Sequence, residues 1–396
     1  MRIIGGMSGT SADAIDVVAL DVALAGDELR CLVLGHRAVP LPARLRANLL
    51  AALPPATTSA AAVCRLDTGL GQAFAAAAQL ALDELCGGTA DFAVISGQTF
   101  FHDVDGARCL GTLQLGQPAW VAERTGLPVV SDLRSRDVAA GGHGAPLVGL
   151  VDALLLAGRA GSGALNLGGI ANLSVVAGVS TTAYDIGPAN ALLDAAVSWR
   201  SNGGLSHDAD GQAAARGQVR QPLLGVLLAD PFYALAPPRS TGKETFHLPY
   251  LRDALQHSGA EGIETDDLLA TLTALTATTV AQAVVAHGLT ELLVSGGGCR
   301  NRTLMGELAA RLPGVRLRRP EEFGVPEQAK EAFAFAVLGF LTVHGLPGAL
   351  PSATGARQAR ILGSITPGAG PLVLPEPAAA GPTRIRVEAG SPQRLA

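Results

Sequence analysis

The chain is poor in several things that would each have named a class. It has only two lysines, Lys243 and Lys330, so arginine carries nearly all its positive charge. Charged residues make up 16%, the formal net charge is -5, and no long basic run occurs, which argues against a nucleic-acid binder. The cysteines, Cys31, Cys64, Cys86, Cys109 and Cys299, are few, odd in number and widely spaced. No CxxC pair occurs, so neither a zinc ribbon nor a disulfide framework is expected, and the usage fits a reducing cytosol. Long hydrophobic runs are missing too. The smoothest, residues 332–343, is too short to cross a bilayer and reads as a buried helix. Polar residues begin by Ser8, too soon for the core of a signal peptide. A soluble, cytoplasmic protein with no membrane partner is the expectation.

What is present is apolar content and glycine: 48% hydrophobic residues, enough for large cores, and 49 glycines, many in turns after apolar runs. The length predicts two domains or three. Residues 2–5 and 14–22 read as strands around the turn GGMSGTS, and residues 56–85 as an alanine-rich helix. After Gly161 the pattern returns in kind. GALNLGGIANLSVVAG reads as two strands around a glycine turn, and TAYDIGPANALLDAAV as strand, turn and helix. Residues 267–287 form a long apolar-faced helix with Thr265 or Asp266 as N-cap, ELLVSGGGCRNRTLMGELAARL is strand, turn and helix, and KEAFAFAVLGFLTVHG is a further helix. Strands alternate with helices, so the class is α/β. Beyond about residue 366 the composition turns to Pro, Ala and Gly and predicts a tail with at most one short strand.

Glycine turns at strand ends are where chemistry is expected. In GGMSGTS, consecutive amides can form a concave donor array for phosphate oxygens, with Ser8, Thr10 and Ser11 adding hydroxyls. A hairpin turn that binds nothing has the same composition. No Walker loop is present, because STGKET at 240–245 lacks the upstream glycine. SGQT at 96–99, NLGGIAN at 166–172, DIGPAN at 185–190 and SGGG at 295–298 also follow apolar strands, a set that predicts a cleft lined by backbone amides. Asp185 in DIGPAN could be a general base, a magnesium ligand through water, or an ordinary turn aspartate. In SDLRSRD, Arg134 or Arg136 could clamp a carboxylate, or the run could be a solvated salt-bridge cluster. His102 and His143 complete no metal spacing, and Lys330 reads as surface charge at a helix start.

The motifs MSGTSADAID, SGQTFFH, VVSDLRSRDVAAGGHGAPLV, LNLGGIANLS, YDIGPANALLD, PPRSTGKETF, DLLATLTALTATTVAQA, VSGGGCRNRTLM and KEAFAFAVL follow one another in this order. Together, over residues 3 to about 365, they resemble the anhydro-N-acetylmuramic acid kinases of bacterial cell-wall recycling. The resemblance implies the sugar kinase, Hsp70 and actin fold: two RNase H-like domains with a nucleotide cleft between them, closing on substrate. It implies a first domain at 1–135 plus about 345–370, a second at 136–344, and a tail at 371–396.

It also implies ATP and Mg2+ as cofactors and a homodimer. The reaction implied is hydrolytic opening of the 1,6-anhydro bridge with phosphorylation of O6, giving N-acetylmuramic acid 6-phosphate. Asp185 matches the catalytic aspartate and would hold magnesium through water, with Asp13 as a helper. Ser8, Gly9, Thr10, Ser11 and Asp13 match the first phosphate turn. Gly187 belongs to the second, Gly168, Gly169 and Asn172 join the nucleotide set, and Gly296, Gly297 and Gly298 form the adenosine-side turn. Gln98 and Glu331 match sugar contacts, and Arg134 is the choice for the lactyl carboxylate. The chain departs from the family's usual pattern at Ala14, Ser96, Gln117, His143 and Gly149. Ser96 and Gln117 leave room for a same-fold kinase with another sugar acceptor. A non-catalytic ATP and sugar sensor is the third reading.

Overall fold

The computed structural model describes residues 1–388 apart from Thr10, Pro55, Gly106, Ala107, Gly178, Val179, Pro238, Ser240, Lys243 and Glu244. The chain runs β1 (Arg2–Ser8), β2 (Ala14–Ala25), β3 (Glu28–Pro40), α1 (Ala43–Ala52), α2 (Ala60–Leu85), β4 (Phe92–Ile95), β5 (Gln98–Asp105) and β6 (Arg108–Leu115). There follow α3 (Ala119–Thr125), β7 (Val129–Ser131), α4 (Ser135–Ala139) and α5 (Val148–Leu155). Next come β8 (Ser162–Leu167), β9 (Ile170–Ala177), β10 (Ser180–Pro188), α6 (Asn190–Arg200), α7 (Gln212–Arg216), α8 (Gln221–Leu228) and α9 (Leu248–His257). Then α10 (Thr265–Ala286), β11 (Glu291–Ser295), α11 (Arg302–Arg311) and β12 (Arg316–Arg318) lead to α12 (Lys330–Val343), α13 (Pro351–Thr354), β13 (Ser364–Thr366) and β14 (Arg384–Glu388).

Two units divide this chain. One is Met1–Ala157 with the chain from Glu321 on; the other is Gly158–Pro320. The sequence reading set the divisions near residues 135 and 345. The units divide later and earlier than that because α5 and α12 pack on each other, and α12 lies against β1, β2 and β4 of the first sheet.

The first sheet has the strand order β13-β7-β4-β1-β2-β3-β14. Strands β1, β2 and β3 are antiparallel neighbours, whereas β4 and β7 run parallel to β1. The two-residue alternation of β1 decides what covers each face. Gly6 looks toward Phe74 of α2, and a methyl group there would meet the ring at 3.5 Å. Gly5 looks the other way, where a Cβ would come 2.4 Å from the Ala332 carbonyl oxygen, so glycine is what lets α12 approach the strand. Phe333, Phe335 and Phe340 of α12 are fully buried, each contributing about 1.5–3 kcal/mol of apolar transfer. Among the described residues the tail carries one strand: β14 lies parallel to β3.

The second sheet has the order β10-β9-β8-β11-β12, with β8, β9 and β10 antiparallel and β8, β11 and β12 parallel. This repeats the β3-β2-β1-β4-β7 order of the first sheet, the RNase H-like arrangement expected twice. Helix α10 joins two cores. Its C-terminal half packs with Leu165, Leu173 and Val294 under the sheet, and its N-terminal half with α6, α8 and α9. The helix is long and apolar enough to cross a membrane, but 83% of its apolar window is buried inside the protein, as a core helix is. Its N-cap is Glu264, without a side-chain cap bond, rather than Thr265 or Asp266. The carboxylates of the first turn are engaged elsewhere: Arg216 pairs with Asp266, and Asp267 accepts from the Gln218 amide and from Arg220.

Candidate active site

In the first unit, the turn between β1 and β2 is shaped by its own polar groups. Ala12, fully buried, takes φ 48° and donates its amide to the Gly9 carbonyl at 3.1 Å. The Ser11 hydroxyl donates to Asp13 Oδ1 at 2.6 Å, and the same oxygen accepts the Ala14 amide at 3.1 Å. Both Ser11 and Asp13 are exposed. A Cβ on Gly9 would meet nothing within 4 Å, so packing inside the protein does not explain that glycine. Thr10, expected among the phosphate ligands, lies outside the described residues.

Ser8 is placed differently from its neighbours. It is buried, and its hydroxyl donates to Gln98 Oε1 at 2.6 Å while its amide donates to Ser96 Oγ at 3.3 Å. Two residues expected to touch different ligands, Ser8 and Gln98, thus share one short hydrogen bond. Ser96 completes the network by donating to the Gly97 carbonyl at 2.7 Å.

Beside this network lies a cavity of about 720 Å³. Ser96 and Gly97 at the end of β4, Gln117, Asp67 of α2, and Asp132 and Ser135 after β7 are in its wall. Asp132 has φ 51° and accepts the Ser135 hydroxyl at 2.6 Å. Gln98, Arg134 and Glu331 are not in that wall, although each of the first two is next to residues that are.

Arg134 is held by the protein. Its Nη1 donates to the Gly144 carbonyl at 2.7 Å and its guanidinium lies 5.9 Å from the centre of the Phe335 ring. Burial lowers its pKa, and Glu331 opposes that. Glu331, at the start of α12, is open to solvent by surface area but crowded by protein on its other sides. That crowding raises its carboxyl pKa, Arg134 and Lys330 pull it down, and Asp152 pushes it up. Lys330 corrects the sequence reading. It is buried, not a surface charge, and its ammonium lies 2.8 Å from Asp152 Oδ1 on α5. In SDLRSRD, Asp137 is an internal anchor: Oδ2 accepts the Gly144 amide and Oδ1 the Thr354 hydroxyl, both at 2.8 Å.

In the second unit the glycine turns gather at one end of the sheet, beyond the carboxyl ends of the parallel strands β8 and β11. The carbonyls of Gly168 and Gly169 accept the amides of Asn190 and Ala189 at 3.0 Å each and of Ala191 at 2.9 Å. The Asn190 side chain adds bonds to the carbonyls of Leu167 and Gly168 at 3.0 and 2.8 Å. Gly296, at φ 92°, packs so closely that a Cβ would come 2.4 Å from Asn166 Oδ1 and 2.8 Å from the Leu167 carbonyl. A Cβ on Gly298 would lie 2.7 Å from Leu167 Cβ. The NLGGIAN and SGGG turns are therefore one packed assembly, with the N-terminus of α6 beside them.

Asp185 sits on β10 opposite Asn172 on β9, at a bulge that ends at Gly187. It is half-buried. Its Oδ2 accepts the Thr241 amide at 2.9 Å, and its own amide donates to the Arg239 carbonyl at 2.9 Å. Gly187 lies under Tyr233, whose ring a Cβ would approach to 2.8 Å. The Thr276 hydroxyl of α10 donates to the Pro188 carbonyl at 3.0 Å and ties the bulge to the core. The sequence reading missed Arg239 and Thr241, although PPRSTGKETF was among its motifs. Both reach Asp185 through main-chain atoms, Arg239 by donating to its carbonyl and Thr241 by its own amide, which residue type does not reveal.

Among the described residues no group of three His, Cys, Asp or Glu side chains could cage a metal ion. Magnesium needs no such cage. It keeps most of its waters and leans on one or two carboxylates plus phosphates. A half-buried Asp185 at a strand end fits that demand.

A family model for anhydro-N-acetylmuramic acid kinase matches residues 1–368. The chain is 57% identical over 98% of its length to the protein of that name from Streptomyces coelicolor, covering 100% of it. It is 58% identical over 98% of its length to the one from Streptomyces avermitilis, again covering 100%. Among solved structures, a ROK family glucokinase from Streptomyces griseus in complex with glucose and AMPPNP aligns over 85% of this chain and 99% of its own, with 14% identity and TM-score 0.38.

Proposed function

The chain belongs to the anhydro-N-acetylmuramic acid kinase family, and from that premise we propose that it uses ATP to open 1,6-anhydro-N-acetylmuramic acid and phosphorylate the released O6. The observation that carries this reading is Asp185: a strand-end carboxylate held by a backbone amide, on the same sheet end as a packed set of glycine turns.

Asp185 takes a proton from water. The hydroxide oxygen bonds to C1, the C1–O6 bond breaks, and O6 attacks the γ-phosphorus as the β–γ bridge bond breaks to release ADP. Phosphoryl transfer depends mainly on positioning and charge stabilisation, and the glycine turns supply amide donors for that. Bound magnesium would neutralise charge on the phosphates, with Asp185 as a ligand through water and Asp13 as a second, exposed candidate.

The turn of Ser11, Asp13 and Gly9 serves the β- and γ-phosphates, for which Gly9 leaves open space. Ser8 serves them indirectly, because its hydroxyl is engaged with Gln98. In the second unit, the turns of Gly168, Gly169, Asn172 and Gly187 serve the triphosphate, and Gly296, Gly297 and Gly298 serve the adenosine side. Arg134 and Glu331 contact the sugar and its lactyl carboxylate. The cavity walled by Ser96 and Gln117 takes the acceptor's substituents. The fuller reading is a cytoplasmic homodimer working within cell-wall recycling.

The test is product identification. Incubation with ATP, magnesium and the anhydro sugar in 18O-water is expected to give ADP and a sugar 6-phosphate with 18O at C1. Label retained elsewhere, ADP release only with other sugars, or binding without ADP release would each reject the reading.

A further inference from the structure

Arg239 is a cation in the second unit that the reaction as drawn does not use. Its Nε donates to the Asp185 carbonyl at 3.1 Å and its Nη2 to the Ile186 carbonyl at 3.5 Å. Its Nη1 reaches the carbonyls of Phe232, Tyr233 and Leu235 at 3.3, 2.9 and 2.8 Å. The guanidinium lies over the rings of Phe232 and Tyr184, 4.9 and 5.5 Å from their centres. Through its backbone, the same residue accepts the Asp185 amide, and two residues on, the Thr241 amide donates to Asp185 Oδ2.

We infer that Arg239 is a positioning residue: it clamps its own main chain onto β10 at Asp185, so that the Thr241 amide meets the Asp185 carboxylate and fixes its direction. Three observations carry this. The guanidinium is spent on backbone carbonyls of two segments, 185–186 and 232–235, which one planar fork can bridge and a shorter or uncharged side chain cannot. The backbone of Arg239 pairs with β10 at Asp185 itself, so side chain and main chain hold the same point. The amide thus held is a donor to Oδ2, the atom whose orientation sets where Asp185 aims. A small misplacement of a reacting group costs far more in turnover than in ligand binding.

The inference rests on Asp185 being the base, so the experiment includes Asp185→Asn beside Arg239→Gln and Arg239→Lys in the full chain. Folding is followed by thermal unfolding, and kcat and KM are measured for ATP and for the anhydro sugar. Arg239→Gln is expected to lower kcat about 100-fold while both KM values stay within about threefold, and Arg239→Lys, which keeps the charge but loses the Nε donor, to fall about tenfold. A merely structural role would lower the unfolding temperature and leave kcat per folded molecule unchanged, which overturns the inference. Wild-type kcat in folded Arg239→Gln overturns it as well. If that variant does not fold, Arg239→Lys decides: reduced kcat at unchanged KM supports the clamp, and wild-type kcat rejects it. Turnover retained by Asp185→Asn would instead remove the premise. A dead Asp185→Asn with fully active Arg239 variants removes the clamp alone.

Discussion

Lys330 and Asp152 form an ion pair 2.8 Å long, with both side chains at most 8% exposed, and it joins the start of α12 to α5. Truncating either partner strands a buried charge, which costs about 3–5 kcal/mol, whereas an apolar pair of similar volume is often neutral. Lys330→Met and Asp152→Leu are each expected to destabilise the protein by that amount in urea unfolding. The double variant is expected to recover most of the loss. Additive losses in the double variant would show that the pair does not act as a unit.

Asp185→Asn keeps size and most hydrogen bonding but removes the carboxylate proposed as the base. Turnover is expected to fall about 100- to 10,000-fold, the usual worth of a general base. Nucleotide binding, measured by calorimetry with a non-hydrolysable ATP analogue, is expected to survive.

Glu331 gives a pH signature. Its carboxyl is raised from 4.5, first by the protein crowded around it and then by Asp152, against Arg134 and Lys330. The folded state therefore holds the proton to a higher pH than the unfolded chain, and stability declines as pH rises from about 4.5 through the folded value. Glu331→Gln removes that decline. The variant's unfolding temperature is expected to exceed the parent's at pH 8 by more than at pH 4. An equal difference at both would contradict the raised carboxyl.

Gln117 and Ser96 separate acceptor from donor. If the cavity they line holds the sugar, Gln117→Ala raises KM for the sugar and leaves KM for ATP unchanged. An effect on ATP alone would move the acceptor elsewhere.

Gly296 tests the other side. A methyl group there meets Asn166 Oδ1 at 2.4 Å with φ at 92°, so Gly296→Ala is expected to cost about 1–3 kcal/mol and to raise KM for ATP. Unchanged KM at reduced stability would make that turn purely structural.

The sequence carried the fold because its signals were local. Strand–glycine–strand starts at β1–β2 and β8–β9, and apolar periodicity in α2, α10 and α12, are readable without partners. The edge strands were not. β13 and β14 are short and half exposed, and only their pairing with β7 and β3 makes them strands. The domain divisions failed to show for the same reason, since nothing in 330–343 says which sheet it covers. At the site, Asp185 and the glycine turns stood out by type and place. Arg239 did not, because its acceptors are main-chain oxygens that leave no mark on composition. Lys330 misled because a lysine at a helix start is ordinarily solvated, and its buried partner lies 178 residues away by the numbering of the pair.

The close approach of Ala332 to Gly5 also orders events during synthesis. A sheet begun by residue 2 has one face that stays bare until residue 343 has cleared the ribosome. The unit at 158–320, continuous in sequence, is by then fully emerged. The inserted half can fold while the host half, started first, is still waiting for α12.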